Sequence, residues 1–113
     1  MHDMKLQPSP FAMIKSGKKT IELRLFDEKR QKIKVGDVIT FTNTSNSEQL
    51  RVGVKKLHRF DCFEELYNAL PLLQCGYTTE NVDEAHPSHM EQYYPLEEQK
   101  KYGVVGIEFF PPK

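Results

Sequence analysis

Cysteine is scarce. Two thiols, Cys62 and Cys75, in 113 residues are too few to staple a secreted fold, and a reducing compartment keeps them unpaired. No apolar run approaches the roughly 20 residues that a helix needs to cross a bilayer, so no membrane helix is expected. The opening Met1-His2-Asp3-Met4 lacks the basic, apolar, small-residue order of a signal peptide, and a cytoplasmic protein is expected. An excess of either charge is missing too. Lys plus Arg and Asp plus Glu each number 16, which argues against holding nucleic acid by bulk electrostatics, since such affinity grows with the number of phosphates neutralised. The sequence also has no glycine-rich phosphate loop, dinucleotide fingerprint, internal repeat or linker-like tract. Soft metal ligands are badly spaced: twelve residues separate Cys62 from Cys75, and His86 and His89 flank Pro87. No metal and no other cofactor is expected.

Hydrophobic residues at 38%, charged residues at 28% and aromatics at 11% mark a folded globular chain. Its length suits one domain over residues 1–113, expected as a monomer. Lys5-Leu6-Gln7 reads as a short opening strand. Ser9 as N-cap, Pro10 in the first turn and Gly17 as a left-handed stop bracket a short helix. Thr20 to Leu25 alternates with period two, which sends Ile21, Leu23 and Leu25 to the core and Thr20, Glu22 and Arg24 to the opposite face. Strands are also expected at Val38–Thr42, Leu50–Leu57 and Val104–Phe109, with turns at residues 35–37 and 43–47. Asp61 and Glu64 form a capping pair for a helix carrying Phe63, Leu66, Tyr67 and Leu70, and Pro71 ends it. A weaker helical pattern runs from Thr78 or Thr79 to Tyr94, interrupted by Pro87. The expected class is α+β: about five short strands curled toward a small barrel, with two or three helices in the connections.

The densest chemistry lies in Gly17-Lys18-Lys19-Thr20-Ile21-Glu22-Leu23-Arg24. Strand parity makes Glu22 and Arg24 neighbours, and Lys19 joins them if the chain turns at Gly17. Two cations about one carboxylate suit anion binding or acid–base work; a solvated strand face with ordinary surface charges is the bland alternative. The neutral total also conceals segregation: residues 15–34 hold eight basic residues against three acids, whereas residues 78–99 hold six acids and no Lys or Arg. A basic stretch therefore exists that can meet phosphates. Tyr94 and Tyr102, flanking the return to the last strand, are favoured over Tyr77 and Tyr93 as stacking residues for a base, while Phe63, Tyr67 and Phe109 are assigned to the core.

The same octet resembles the GxKxxExR signature of the ASCH domain family, with Gly17, Lys19, Glu22 and Arg24 filling its four positions. The turn at Lys34 to Asp37, the helix start at Phe60 to Leu66, Tyr94-Pro95 and the segment Lys101 to Phe109 extend the likeness over nearly the whole chain. The resemblance implies a PUA-like β-barrel whose cleft, lined by Lys19, Glu22 and Arg24, binds RNA or a nucleoside-like or nucleotide-like ligand. It also implies an alternative, since small bacterial members include amidohydrolases that remove the acetyl group of 4-acetylcytidine with a Lys, a Thr and a Glu. Lys19 matches the first of these; Glu22 stands where the Thr would be, and the third aligns near Cys75 and Gly76. For such an enzyme, Lys19 and Glu22 are the catalytic candidates, with Glu22 activating water. A regulatory or protein-interaction domain is the third class.

Overall fold

A computed structural model describes residues 2–112. Five strands, β1 (His2–Leu6), β2 (Ile21–Leu25), β3 (Val38–Asn43), β4 (Gln49–Phe60) and β5 (Val104–Phe109), form one sheet of order β1-β3-β4-β5-β2. Only β1 and β3 run parallel, with His2 opposite Ile39 and Leu6 opposite Asn43; the other pairs are antiparallel. The long strand β4 serves two partners. Its first half pairs with β3 up to Gly53, and after the register shift between Val54 and Lys56 its second half pairs with β5. That bulge bends the strand and curls the sheet into a half-barrel. The curl brings the edges β1 and β2 together, and Arg24 Nη2 donates across the seam to the Lys5 carbonyl at 3.0 Å.

Helices α1 (Pro8–Lys15), α2 (Phe63–Ala69) and α3 (Leu96–Tyr102) occupy the connections, giving the expected α+β, PUA-like architecture. Two apolar cores result. One gathers Met4, Leu6, Ile39, Phe41, Val52, Val54, Val105, Ile107 and Phe109 from the inner face of the sheet, closed by Phe11 and Ile14 of α1. The other lies between β2 and α2, where Ile21, Leu23 and Leu25 meet Phe63, Leu66 and Tyr67. The alternation read along β2 is therefore correct, but both of its faces are covered. Glu22 and Arg24 stand opposite Ile107 and Val105 and so share the inner side of the sheet.

Several boundaries differ from the sequence expectation. Helix α1 begins at Pro8 with Gln7 as its uncapped N-cap, because Pro8 already supplies a preset first-turn φ ahead of Ser9. Strand β1 starts at His2, drawn out by pairing with β3. Residues 78–94 form no α-helix. They fold as 3-10 turns at Val82–Glu84 and Pro87–Gln92, with His86 forced into extended backbone ahead of Pro87. The third helix lies downstream, opened by Pro95, with Glu97 and Glu98 in its first turn and Lys100 and Lys101 in its last, as the helix dipole favours. Cys62, not Asp61, is the N-cap of α2, and the Phe63 N–H is satisfied by Gln99 Oε1 at 3.1 Å.

Candidate functional site

At the end of α1 the chain wraps at Gly17, whose φ of 81° lies in the left-handed region open to glycine. Lys18 and Lys19 then both donate their N–H to the Met13 carbonyl, at 2.9 and 3.1 Å. This turn folds Lys19 back beside β2. The start of β2 is pinned in turn by the Thr20 N–H to the Gln74 carbonyl at 2.9 Å, which lays Cys75 and Gly76 over the lysine. A Cβ on Gly76 would sit 3.5 Å from Lys19 Cδ, so the backbone there rides directly on the lysine stem.

The result is a buried ion triad. Lys19 Nζ lies 2.6 Å from Glu22 Oε1, and Arg24 Nε lies 2.8 Å from Glu22 Oε2, so each carboxylate oxygen has its own cation. Glu22 is 4% exposed and Lys19 7%, which overturns the solvated-face alternative. Burial alone would push the Glu22 carboxyl up, but the charges and hydrogen bonds of Lys19 and Arg24 outweigh it and hold the group below the usual carboxylate range. Burial would likewise lower Arg24, yet the Glu22 carboxylate raises it. Both ends of the pair favour the charged form.

Above the triad opens a cleft of about 430 Å³, lined on one side by Gln7, Ser9, Pro10 and Met13 around α1 and on the other by Tyr67, Tyr77, Met90, Tyr93 and Tyr94. The size falls in the range of small-molecule sites. Tyr67 and Tyr77 join hydroxyl to hydroxyl at 2.7 Å. Tyr94 stacks on Phe63, its ring centroid 5.7 Å away, and burial pushes its phenol up. Tyr93 lies at the lip, 66% exposed. Gln99, fully buried, fixes this wall by donating from Nε2 to the Tyr94 carbonyl at 2.8 Å while accepting from Phe63. The oppositely charged segments of the sequence thus meet here, the basic one supplying the floor and the acidic one Met90, Tyr93 and Tyr94 of the opposite wall.

Chemically the floor offers donors. Among the described residues Arg24 Nη1 has no hydrogen-bond partner, and Lys19 Nζ is engaged by Glu22 alone. Both Glu22 oxygens are occupied, and the carboxyl is depressed, so it is a weak base. Cys75 lines the cleft, but burial pushes its thiol up to about 12 even with Lys19 nearby, which leaves it a poor nucleophile.

Of the residues expected at the site, Lys19, Glu22, Arg24 and Tyr94 come together. Tyr102 does not. It is half-buried in a separate groove with Phe26 and Arg59, because α3 carries it to the far end of β2. Tyr67 belongs to the core as expected and also lines the cleft. Tyr93 and Gln99 carried no periodic signal, and their positions follow from the 3-10 turns and from α3. Among the described residues no group of three or more His, Cys, Asp or Glu is placed to hold a metal ion, and no helix is long and apolar enough to cross a membrane.

A curled five-stranded sheet with helices in its connections and a cleft at its seam defines a PUA-like domain. The chain belongs to the ASCH domain family, whose model matches residues 4–113. It is similar to the crystal structure of hypothetical protein PH0355, at 37% identity and a TM-score of 0.78 over 98% of this chain and 97% of that one. The solution NMR structure of protein PF0455 from Pyrococcus furiosus is also 37% identical, with a TM-score of 0.73 over 97% and 96% of the two chains. None of the curated proteins compared with the chain matches it.

Proposed function

We propose that this ASCH domain binds one nucleoside unit in the cleft, its base against the tyrosine wall and its acceptor atoms on Lys19 and Arg24. The observation that carries the reading is the pairing of a floor of two cations, whose one carboxylate has both oxygens engaged, with an aromatic side wall in a cleft of about 430 Å³. A base offers a π-face to Tyr93 and Tyr94, and its carbonyl oxygens or a phosphate accept from the cationic floor. Glu22 serves here as the anion that keeps two cations together in a buried place. Without it, their mutual repulsion and desolvation would oppose the arrangement.

The test is a titration of the four ribonucleosides, their monophosphates and 4-acetylcytidine against the labelled protein, followed by amide chemical shifts. Saturable shifts confined to residues 74–77 and 90–94 and to the end of α1 support the reading, and their absence for every ligand overturns it. Acetyl release from 4-acetylcytidine, followed by chromatography, separates binding from hydrolysis. The weak basicity of Glu22 and the raised Cys75 thiol favour recovery of the nucleoside intact; turnover that vanishes in Lys19→Ala would make the site an amidohydrolase.

A further inference from the structure

The long strand β4 changes partners at Gly53, and the change leaves part of it open. Residues 49–53 pair with β3 on one side, while β5 joins the other side only from Val54 onward. Backbone direction alternates along an antiparallel ladder. The Asn43 N–H donates to the Glu48 carbonyl and the Val54 N–H to the Asp37 carbonyl, each at 2.8 Å, so Glu48, Leu50, Val52 and Val54 bond toward β3. Gln49, Arg51 and Gly53 consequently aim their N–H and C=O groups at the other side. The Gly53 carbonyl there receives the Phe110 N–H at 3.0 Å, and among the described residues no strand pairs with Gln49 or Arg51 on that side. Nor can β5 be extended to cover them, because Pro111 and Pro112 carry no N–H. The open edge borders a groove of about 840 Å³, walled by Val38, Phe110, Pro111 and Pro112, which shares no lining residue with the cleft. Val38 and Phe110 are themselves exposed.

We propose that this edge pairs with the same edge of a second copy of the chain, β4 against β4 in antiparallel sense about a two-fold axis, joining two half-barrels through one continuous sheet. Natural sheet edges are guarded by lysine, proline or a bulge. The stretch Gln49-Leu50-Arg51-Val52 has none of these, and the bulge of β4 comes later, between Val54 and Lys56. The sequence also selects one register. Paired residues share a face of the sheet, so a two-fold axis sets one residue opposite its own copy. An axis through Arg51 would oppose two guanidiniums and bring Gln49 against Gly53, whose carbonyl is already taken. An axis through Gln49 would run the hairpin turn at Ser47, with its φ of 62°, into the ladder. With the axis at Leu50, leucine meets leucine, and Gln49 of each copy stands opposite Arg51 of the other. Both of these outward-facing pairs then exchange two backbone N–H···O bonds. Gln49 and Arg51 are exposed, so each guanidinium gains a neutral amide oxygen as acceptor and meets no like charge. So short a ladder holds weakly, and the monomer expected from chain length is the dilute state.

Sedimentation equilibrium of the intact chain from micromolar to millimolar concentration is expected to show a reversible monomer–dimer equilibrium. Amide exchange at Gln49 and Arg51 should slow as the concentration rises, while exchange along β2 stays unchanged. Two substitutions at one exposed position then read the register. Gln49→Glu, facing Arg51 of the second copy, should tighten the dimer several-fold, and Gln49→Lys should loosen it several-fold. The two change the net charge by the same amount, so opposite shifts report the local pairing, and melting temperatures close to that of the native chain separate them from effects on folding. A monomer at every concentration, a dimer indifferent to both substitutions, or two substitutions that shift it in the same direction would each overturn the proposal. A monomer whose Gln49 and Arg51 amides are protected only by an added valine–threonine peptide would overturn it too, and would assign the edge to a foreign strand.

Discussion

Arg24 joins two edges of the sheet through one guanidinium: Nε binds Glu22 Oε2 on its own strand at 2.8 Å, and Nη2 binds the Lys5 carbonyl on β1 at 3.0 Å. The residue that closes the half-barrel is thus also the residue that offers its remaining nitrogen to the cleft. Glu22 is the hinge of this arrangement, because it neutralises Arg24 and Lys19 together. Replacement by Ala leaves two cations buried without an anion, a loss worth about 3–5 kcal/mol. Chemical denaturation of Glu22→Ala should show this, and a loss below 1 kcal/mol would mean that the triad contributes little to the fold.

The same pair sets an acid limb. The Glu22 carboxyl is held below its ordinary value in the folded chain, chiefly by Lys19 and Arg24 acting against burial. Its contribution is therefore complete above the unfolded value of about 4.3 and is lost as pH falls through the lower folded value. Asp37 and Glu108, hydrogen-bonded to His2 and His58, are depressed in the same direction and steepen the limb in every variant. The stability gap between the native chain and Glu22→Gln should accordingly be widest near neutral pH and shrink on acidification. Urea midpoints at pH 7 and pH 3.5 measure it, and a constant gap would show that Glu22 is not the depressed group.

The octet from Gly17 to Arg24 was readable because everything it needs is local: a left-handed turn, a strand parity of two and three charges within six residues. What could not be read was the burial of its polar face. That depends on β1 meeting β2 across the curl, a contact between residues 5 and 24, and on β5 lying opposite with Val105 and Ile107. The tyrosines divide in the same way. Tyr94 and Tyr102 flank the last strand symmetrically in sequence, but a 3-10 turn ending at Gln92 and a helix beginning at Leu96 send them to different cavities. Weak periodicity across residues 78–94 reported a segment held by Pro87 and by long-range packing rather than by its own helical preference.

Gly103 tests the junction that carries Tyr102 away. Its φ of 74° with ψ of −176° is a conformation that glycine alone adopts readily, and a Cβ there would sit 3.0 Å from the Phe60 carbonyl oxygen. Its own carbonyl also receives the Phe26 N–H. Gly103→Ala should lower stability by about 1–3 kcal/mol, read as a fall in melting temperature, and a melting temperature within 1 °C of the native chain would show that this backbone relaxes freely.

Cys75 distinguishes lining the cleft from reacting in it. Burial pushes its thiol up to about 12, so almost no thiolate exists near neutral pH. In the Cys62→Ser background, labelling by a disulfide reagent at pH 8 should be slow in the folded chain and fast in urea. Rapid labelling of the folded protein would mean that Lys19 stabilises the thiolate more than burial opposes it, and would reopen Cys75 as a nucleophile.

Tyr93 gives the most direct test of the aromatic wall, because affinity and stability separate there. At 66% exposed it contributes little packing, so Tyr93→Ala should leave the melting temperature nearly unchanged. Removing a stacking face should nevertheless weaken nucleoside binding by about 1–3 kcal/mol. Tyr67→Phe provides the contrast: its hydroxyl holds Tyr77 at 2.7 Å inside the second core, so its loss should register first in stability, at about 0.5–1.5 kcal/mol. Calorimetric titration beside thermal melts reads both quantities on the same samples. Unchanged affinity in Tyr93→Ala would remove the lip of the cleft from ligand contact and move the base inward, onto Tyr77 and Tyr94.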